Sequence, residues 1–175
     1  ATFPQPWWGI DPEVQEHTIS VAASIAYHAT LHRRAVGLVA NGAVPRSDQP
    51  IRVLPSRDPG TLTRILEALA AVSTFATERI ETLLARETPR MPWGATFVVV
   101  TAIVTPELVA EIVRLTRAGR RIVLVSLDPD YTETELPSVI IHHLPRAQLV
   151  YGERPAAIDP DALFRRPSSP KEPRE

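Results

Sequence analysis

The 175-residue sequence contains no cysteine, which excludes disulfides, thiolate nucleophiles and cysteine-ligated metals together and fits a reducing compartment. Glycine is scarce at seven residues, and Gly37, Gly42 and Gly60 stand isolated, so neither glycine-rich phosphate loop is present. No serine sits in a Gly-x-Ser-x-Gly elbow. No apolar run approaches the ~20 residues that cross a bilayer, and no signal-peptide pattern is read at the start. Neither sign of charge is in excess: 19 basic residues face 20 acidic ones, for a net charge of −1. Without a global positive field, recruitment of nucleic acid or anionic lipid is not expected.

What is present describes an ordinary globular chain, with 44% hydrophobic and 22% charged residues, long enough for one domain with a sizeable core. The 18 prolines are about twice the usual share of roughly 5%. Together with few glycines they stiffen the unfolded chain, one route to thermostability.

Asp11-Pro12-Glu13 reads as a helix start: an N-cap acceptor, proline at the first helical position, then an acid at the positive end of the dipole. Val14, Thr18, Val21, Ala22, Ile25 and Ala29 recur at helical spacing and predict a helix to about Arg33, packed on a sheet. The run 35–40 predicts a buried strand ending at Asn41-Gly42, and 51–55, followed by proline, an edge strand. Helices are expected over 59–72, 76–87 and 105–118, the last closed by Gly119. Phe97 to Val100 reads as a central parallel strand buried on both faces, followed by strands over 121–127 and 139–144.

Strands alternating with helices predict an α/β fold whose mostly parallel sheet carries helices on both faces. The α/β domain is expected over residues 1–150, with a C-terminal extension over 151–175 whose last ~10 residues have nothing to bury and are expected to be disordered. The chain opens on alanine, and its first residues read as the end of a strand, so a first strand truncated at the N-terminus is expected. In such sheets ligands bind beyond the carboxyl ends of the strands. Those ends are the loop with Trp7 and Trp8, Asn41, the stretch from Thr101 to Thr105, and Asp128 to Tyr131.

The stretches "HTISVAASIAYHATLHRRAVGLVANG", "DPGTLTRILEALAAV" and "MPWGATFVVVTAIVTPELVAEIVRLTRAGRRIVLVSL" resemble the C-terminal half of the family known as domain of unknown function 58. The resemblance covers roughly residues 1–145 and rests on pattern and order. It implies a Rossmann-like, von Willebrand factor type A-like domain. Typical members hold a divalent cation through an Asp-x-Ser-x-Ser loop, a threonine and an aspartate after the central strand, since hard cations take oxygen ligands. This sequence departs at two places: Thr101-Ala102 stands where the family has Ser/Thr-Asp, and only Thr2 offers a hydroxyl before Trp7. A degenerate site near Thr2, Thr101 and Ala102 is therefore expected, with no metal and no cofactor.

The resemblance further implies transmembrane helices upstream, a cytoplasmic location for this domain, and action with a MoxR-type AAA+ ATPase in protein maturation or assembly. The expected function is a non-catalytic protein-interaction module with a contact rim of Trp7, Trp8, Asn41, Thr101, Asp128 and Tyr131. Trp7 and Trp8 either fold back over the sheet or anchor a partner; adjacent residues rarely both bury fully, so one in and one out is expected. Two alternatives stay open: a small hydrolase-like enzyme using rim acids and histidines, and an intact cation-dependent adhesion module with ligands upstream of Ala1.

Other residue patterns have plainer explanations. His28 and His32 are spaced to share a metal and His17 lies near their stripe, but no third carboxylate ligand stands out, so packing is expected. His142 and His143 are adjacent in a strand and face opposite ways. Asp128 and Asp130 read as turn caps. The pairs Arg33-Arg34, Arg120-Arg121 and Arg165-Arg166 read as solvated element ends.

Overall fold

The computed structural model describes residues 12–43, 49–73, 76–128 and 136–144. Thr2, Trp7, Trp8, Asp11, Asp130, Tyr131 and the extension 151–175 lie outside the described residues.

Helix α1 (Pro12–Leu31) leads into an antiparallel pair, β1 (Val36–Ala43) and β2 (Pro50–Ser56). Helices α2 (Gly60–Ala70) and α3 (Ile80–Glu87) follow, with a 3₁₀ turn at Thr88–Arg90. Then β3 (Thr96–Thr101), α4 (Pro106–Arg117), β4 (Arg121–Ser126) and β5 (Ile140–His143) form an alternating unit whose strands are parallel in the order β3-β4-β5. The architecture is thus mixed α/β, with a three-stranded parallel sheet and a two-stranded antiparallel one, flanked by helices.

Local chemistry sets the ends of these elements. Asp58 Oδ1 accepts from Gly60 N at 2.7 Å where α2 begins. Thr105 Oγ1 accepts from Leu108 N at 3.1 Å, with Pro106 and Glu107 completing the start of α4. Gly119 closes α4 at φ +83°, with Gly119 N and Arg120 N donating back to Thr116 O and Leu115 O, the paired bonds of a Schellman ending. Helix α1 ends the same way, with Arg33 N and Arg34 N donating to Thr30 O and Ala29 O. Here Arg33, not a glycine, takes the left-handed conformation, at φ 52°.

The core is divided by sheet face. Leu108, Ile112 and Leu115 of α4 pack with Val99, Ile122 and Leu124 on one face of the parallel sheet. Val21 and Ile25 of α1 pack with Val98, Val100, Val123 and Val125 on the other. From a neighbouring stripe of the same turns of α1, Ile19, Ala22 and Ala26 join Ile65 and Leu69 of α2 over Val36, Leu38 and Val53 of the antiparallel pair. One helix therefore spans both sheets, and its small residues permit the close approach.

Three expectations need correction. The strand buried along its length is β4, whose residues 122–126 are all buried; β3 is only half-buried over most of its length because, among the described residues, it ends its sheet. Strand β1 does not stop before Asn41-Gly42 but runs through it, since Gly42 bridges to Ala76. That bridge delays α3 until Ile80, because residues 76–78 are held against β1.

Candidate protein-contact rim

Strands β3, β4 and β5 end together, and the ladder continues past their last residues: Leu127 N donates to Thr101 O and Leu144 N to Ser126 O, both at 2.8 Å. This brings Thr101, Ala102, Asp128 and His143 to one end of the parallel sheet. Thr101 is buried, and its hydroxyl is closed on the next loop residue but one, donating to Ile103 O at 2.8 Å and accepting from Ile103 N at 3.2 Å. Ala102 beside it is also buried. Asp128 Oδ2 accepts from Val104 N at 2.9 Å, tying the loop after β4 to the loop after β3. Asp128 N donates to Ser126 Oγ at 3.2 Å. His143 Nε2 lies 2.8 Å from Asp128 O; a carbonyl only accepts, so this nitrogen carries the proton.

Asn41 sits at the end of β1. Its Nδ2 donates to Glu78 O at 3.1 Å, and its carbonyl accepts from Thr77 N at 2.7 Å and Thr77 Oγ1 at 3.0 Å. It splints the segment before α3 to β1. Asn41, Thr101 and Ala102 border one cavity of about 880 Å³ that separates the two sheets. The structure thus assembles Thr101 with Asp128 through the Ile103-Val104 loop and sets Asn41 across the cavity from them. Trp7, Trp8, Tyr131 and Thr2 fall outside the described residues.

Among the described residues no group of three or more histidine, aspartate or glutamate side chains converges on one point. His28 and His32 stack with ring centroids 4.1 Å apart, and His32 Nδ1 lies 2.9 Å from His28 O within α1. No described helix is long and apolar enough to cross a membrane.

Two arginine clusters escape a reading of the sequence. Arg120 is not solvated: it is buried and donates to the carbonyls of Pro92 (2.9 Å) and Thr88 (3.1 Å). Its guanidinium lies 4.3 Å from the ring centre of Trp93, which is 74% exposed, a cation–π arrangement. The available signal was the Pro92-Trp93-Gly94 turn, whose carbonyls need a donor outside the ladder. Arg121 does stay exposed, reaching Gly94 O at 2.7 Å. In the second cluster, buried Glu87 accepts at Oε1 from Arg52, from Arg86 at 3.1 Å and from Arg90 at 2.9 Å. Burial alone would raise this carboxyl, but hydrogen bonds from Arg52 and Arg86 outweigh it and hold the group below its ordinary range. These contacts pin α3 to β2 and do not face the strand-end rim.

Compared with protein-family models, with curated proteins and with solved structures, the chain gives no match.

Proposed function

We propose that this chain is a von Willebrand type A-like domain, built on a Rossmann-like plan, that works by protein contact and not by catalysis. The supporting observation is how the rim's polar groups are used. Thr101, Asp128 and Asn41 each bind loop backbone at the strand ends, so they fix a surface shape and do not converge on a reacting atom. Ala102 stands where the related pattern places an anionic ligand, consistent with a degenerate cation site.

In this reading the partner is a protein, a MoxR-type AAA+ ATPase, and the process is maturation or assembly of a complex. The full-length protein is anchored in the membrane by segments upstream, with this domain in the cytoplasm. Trp7 and Trp8 supply the aromatic anchor at the rim, where large apolar rings concentrate binding energy.

Affinity of the full-length protein for a MoxR-type AAA+ ATPase tests the reading. The double variant Trp7→Ala/Trp8→Ala weakens the association by at least about tenfold, the loss expected of a hot-spot pair. Unchanged affinity removes the tryptophan anchor, and no association at all removes the partner. Calorimetry with Mg²⁺ on the same protein separates the cation-dependent alternative, which requires a binding heat.

A further inference from the structure

The net charge of −1 conceals a separation of charge between the two ends of the strands. Strands β3, β4 and β5 are parallel, so their amino ends, Thr96, Arg121 and Ile140, form a base opposite the rim. Helix α4 returns to that base at Arg117. Helix α3 starts next to Glu78, which Asn41 holds at the carboxyl end of β1, and ends at Glu87, just before the turn that enters β3. It therefore descends from the carboxyl end of β1 to the base, so β1 begins at the base with Arg33 and Arg34 ahead of it. Val36 pairs with Ser56, which brings Arg57 to the same end.

Arg33, Arg34, Arg57, Arg90, Arg117 and Arg121 are all exposed at this base. The acids described there are few. Glu87 is buried among its guanidiniums, and the Asp58 carboxylate accepts from Gly60 N. Glu111, farther up α4, is matched by Arg114. Acids gather instead at the rim, where Glu13 and Glu16 open α1 and Glu107 opens α4, with Glu78 and Asp128 nearby. Helix α1 has 20 residues, so the acids that open it lie roughly 30 Å from the arginines that follow it. Charges are screened over about 8 Å at physiological ionic strength. A surface touching the base meets the arginines and not the total, which is why the sum over the sequence misleads.

Trp93 stands among these arginines with 74% of its surface exposed. The Arg120 guanidinium backs its ring at 4.3 Å. That guanidinium is itself buried and tied to the carbonyls of Pro92 and Thr88, so the turn is held while most of the ring is left in solvent. A tryptophan so placed offers an apolar body and a polar N–H, the combination that suits the headgroup level of a bilayer.

The shape of the base decides between anionic partners. Its arginines follow four separate elements, α1, β2, α3 and α4, and the strands offer only their ends there. A peptide is held by a groove or a free strand edge. Bases of a nucleic acid stack on successive aromatic side chains, whereas Trp93 is a single ring in a turn. Charge spread over a whole end, with one amphipathic ring in it, matches a planar array of anionic headgroups. The same array repels the acids of the rim and turns the rim away from it.

We propose that the base is a docking surface for an anionic lipid bilayer, its arginines meeting the headgroups and Trp93 entering at their level. The proposal goes beyond the functional reading above and needs neither the rim's partner nor an anchor upstream.

Cosedimentation of residues 1–175 with vesicles tests it. The chain is expected to bind vesicles of phosphatidylglycerol and phosphatidylcholine mixed equally, to leave them as salt rises, and not to bind phosphatidylcholine alone. No binding to the mixed vesicles, or binding indifferent to lipid charge, overturns the proposal without any variant. Each arginine near an anionic leaflet strengthens association about fivefold, so Arg117→Glu/Arg121→Glu weakens it by at least about tenfold. Adding Glu16→Lys/Glu107→Lys to that variant restores the net charge but not the binding; recovery would mean that total charge decides, and overturns the proposal. Tryptophan fluorescence is expected to be quenched by bromine-bearing acyl chains, and this quenching is lost in Trp93→Phe. Quenching that persists means that Trp7 or Trp8 enters instead, against the proposal. Tighter association with polyglutamate or single-stranded RNA than with the mixed vesicles makes the base a site for an acidic polymer and also overturns it.

Discussion

Glu87 and His142 are titratable groups held in their charged and neutral forms respectively, and they divide the acid response of the fold into two windows. His142, on the α1 side of the parallel sheet, is half-buried with Nε2 lacking a partner among the described residues, and burial lowers its pKa below the ordinary 6.5. A histidine depressed in the folded state binds fewer protons there than when unfolded. Its stability contribution is complete above pH 6.5 and is lost as pH falls through the folded value. Glu87 also lies below its ordinary value, 4.5, so its contribution is complete above pH 4.5 and disappears further into acid. Thermal unfolding followed from pH 8 to pH 3 is expected to show two successive declines. His142→Leu flattens the first and leaves the second; Glu87→Gln removes the second. At pH 7, Glu87→Gln is expected to cost about 1–2 kcal/mol, the low part of the range for charged hydrogen bonds, because the three guanidiniums remain partly in water. A single decline untouched by either substitution contradicts the assignment.

Helices α1 and α4 carry the same ending with different residues at the left-handed position, which makes them a matched test of helix termination. Gly119 adopts φ +83° with nothing within 4 Å of the place a Cβ would occupy, so Gly119→Ala measures backbone strain alone. It is expected to destabilise by about 1 kcal/mol, as left-handed non-glycine residues cost roughly 1–2 kcal/mol. Arg33→Gly at φ 52° is expected to do the reverse, stabilising by about 0.5–1 kcal/mol after the extra chain entropy of glycine. Chemical denaturation of both variants checks the signs, and like signs would refute the account. This is also where the sequence was most legible. Thr105-Pro106-Glu107, Asp58-Pro59 and Gly119 announce element ends through contacts within a few residues, and all three act there in the structure. What was not legible depends on distant edges. That β3 ends its sheet among the described residues, that Gly42 pairs with Ala76, and that Arg120 is drawn under Trp93 are decided by segments far apart in sequence. The rim divides the same way. The strand-end positions of Thr101 and Asp128 follow from the βαβ pattern, but the loop bonds that occupy them do not.

At the scale of the molecule, the two sheets share no ladder among the described residues and are joined through helices, α1 above all. This predicts unequal cooperativity. The parallel sheet surrounds β4, with Leu124 fully buried between α4 and its neighbouring strands. The antiparallel pair rests on a smaller cluster around Ile65 and Leu69, with β2 exposed along its outer edge. Native-state hydrogen exchange resolves such differences, because each amide reports the smallest opening that frees it. Ile65→Ala removes a fully buried side chain at a cost of about 2–5 kcal/mol. It is expected to speed exchange of the β1 and β2 amides by that amount while leaving those of β4 nearly unchanged. Leu124→Ala, of similar cost, is expected to speed exchange in all five described strands, since opening the parallel sheet strips α1 of the face it packs on. If Ile65→Ala lowers the protection of β4 as much as that of β1, the two sheets unfold as one unit. The helices alone would then couple them as tightly as a continuous ladder would.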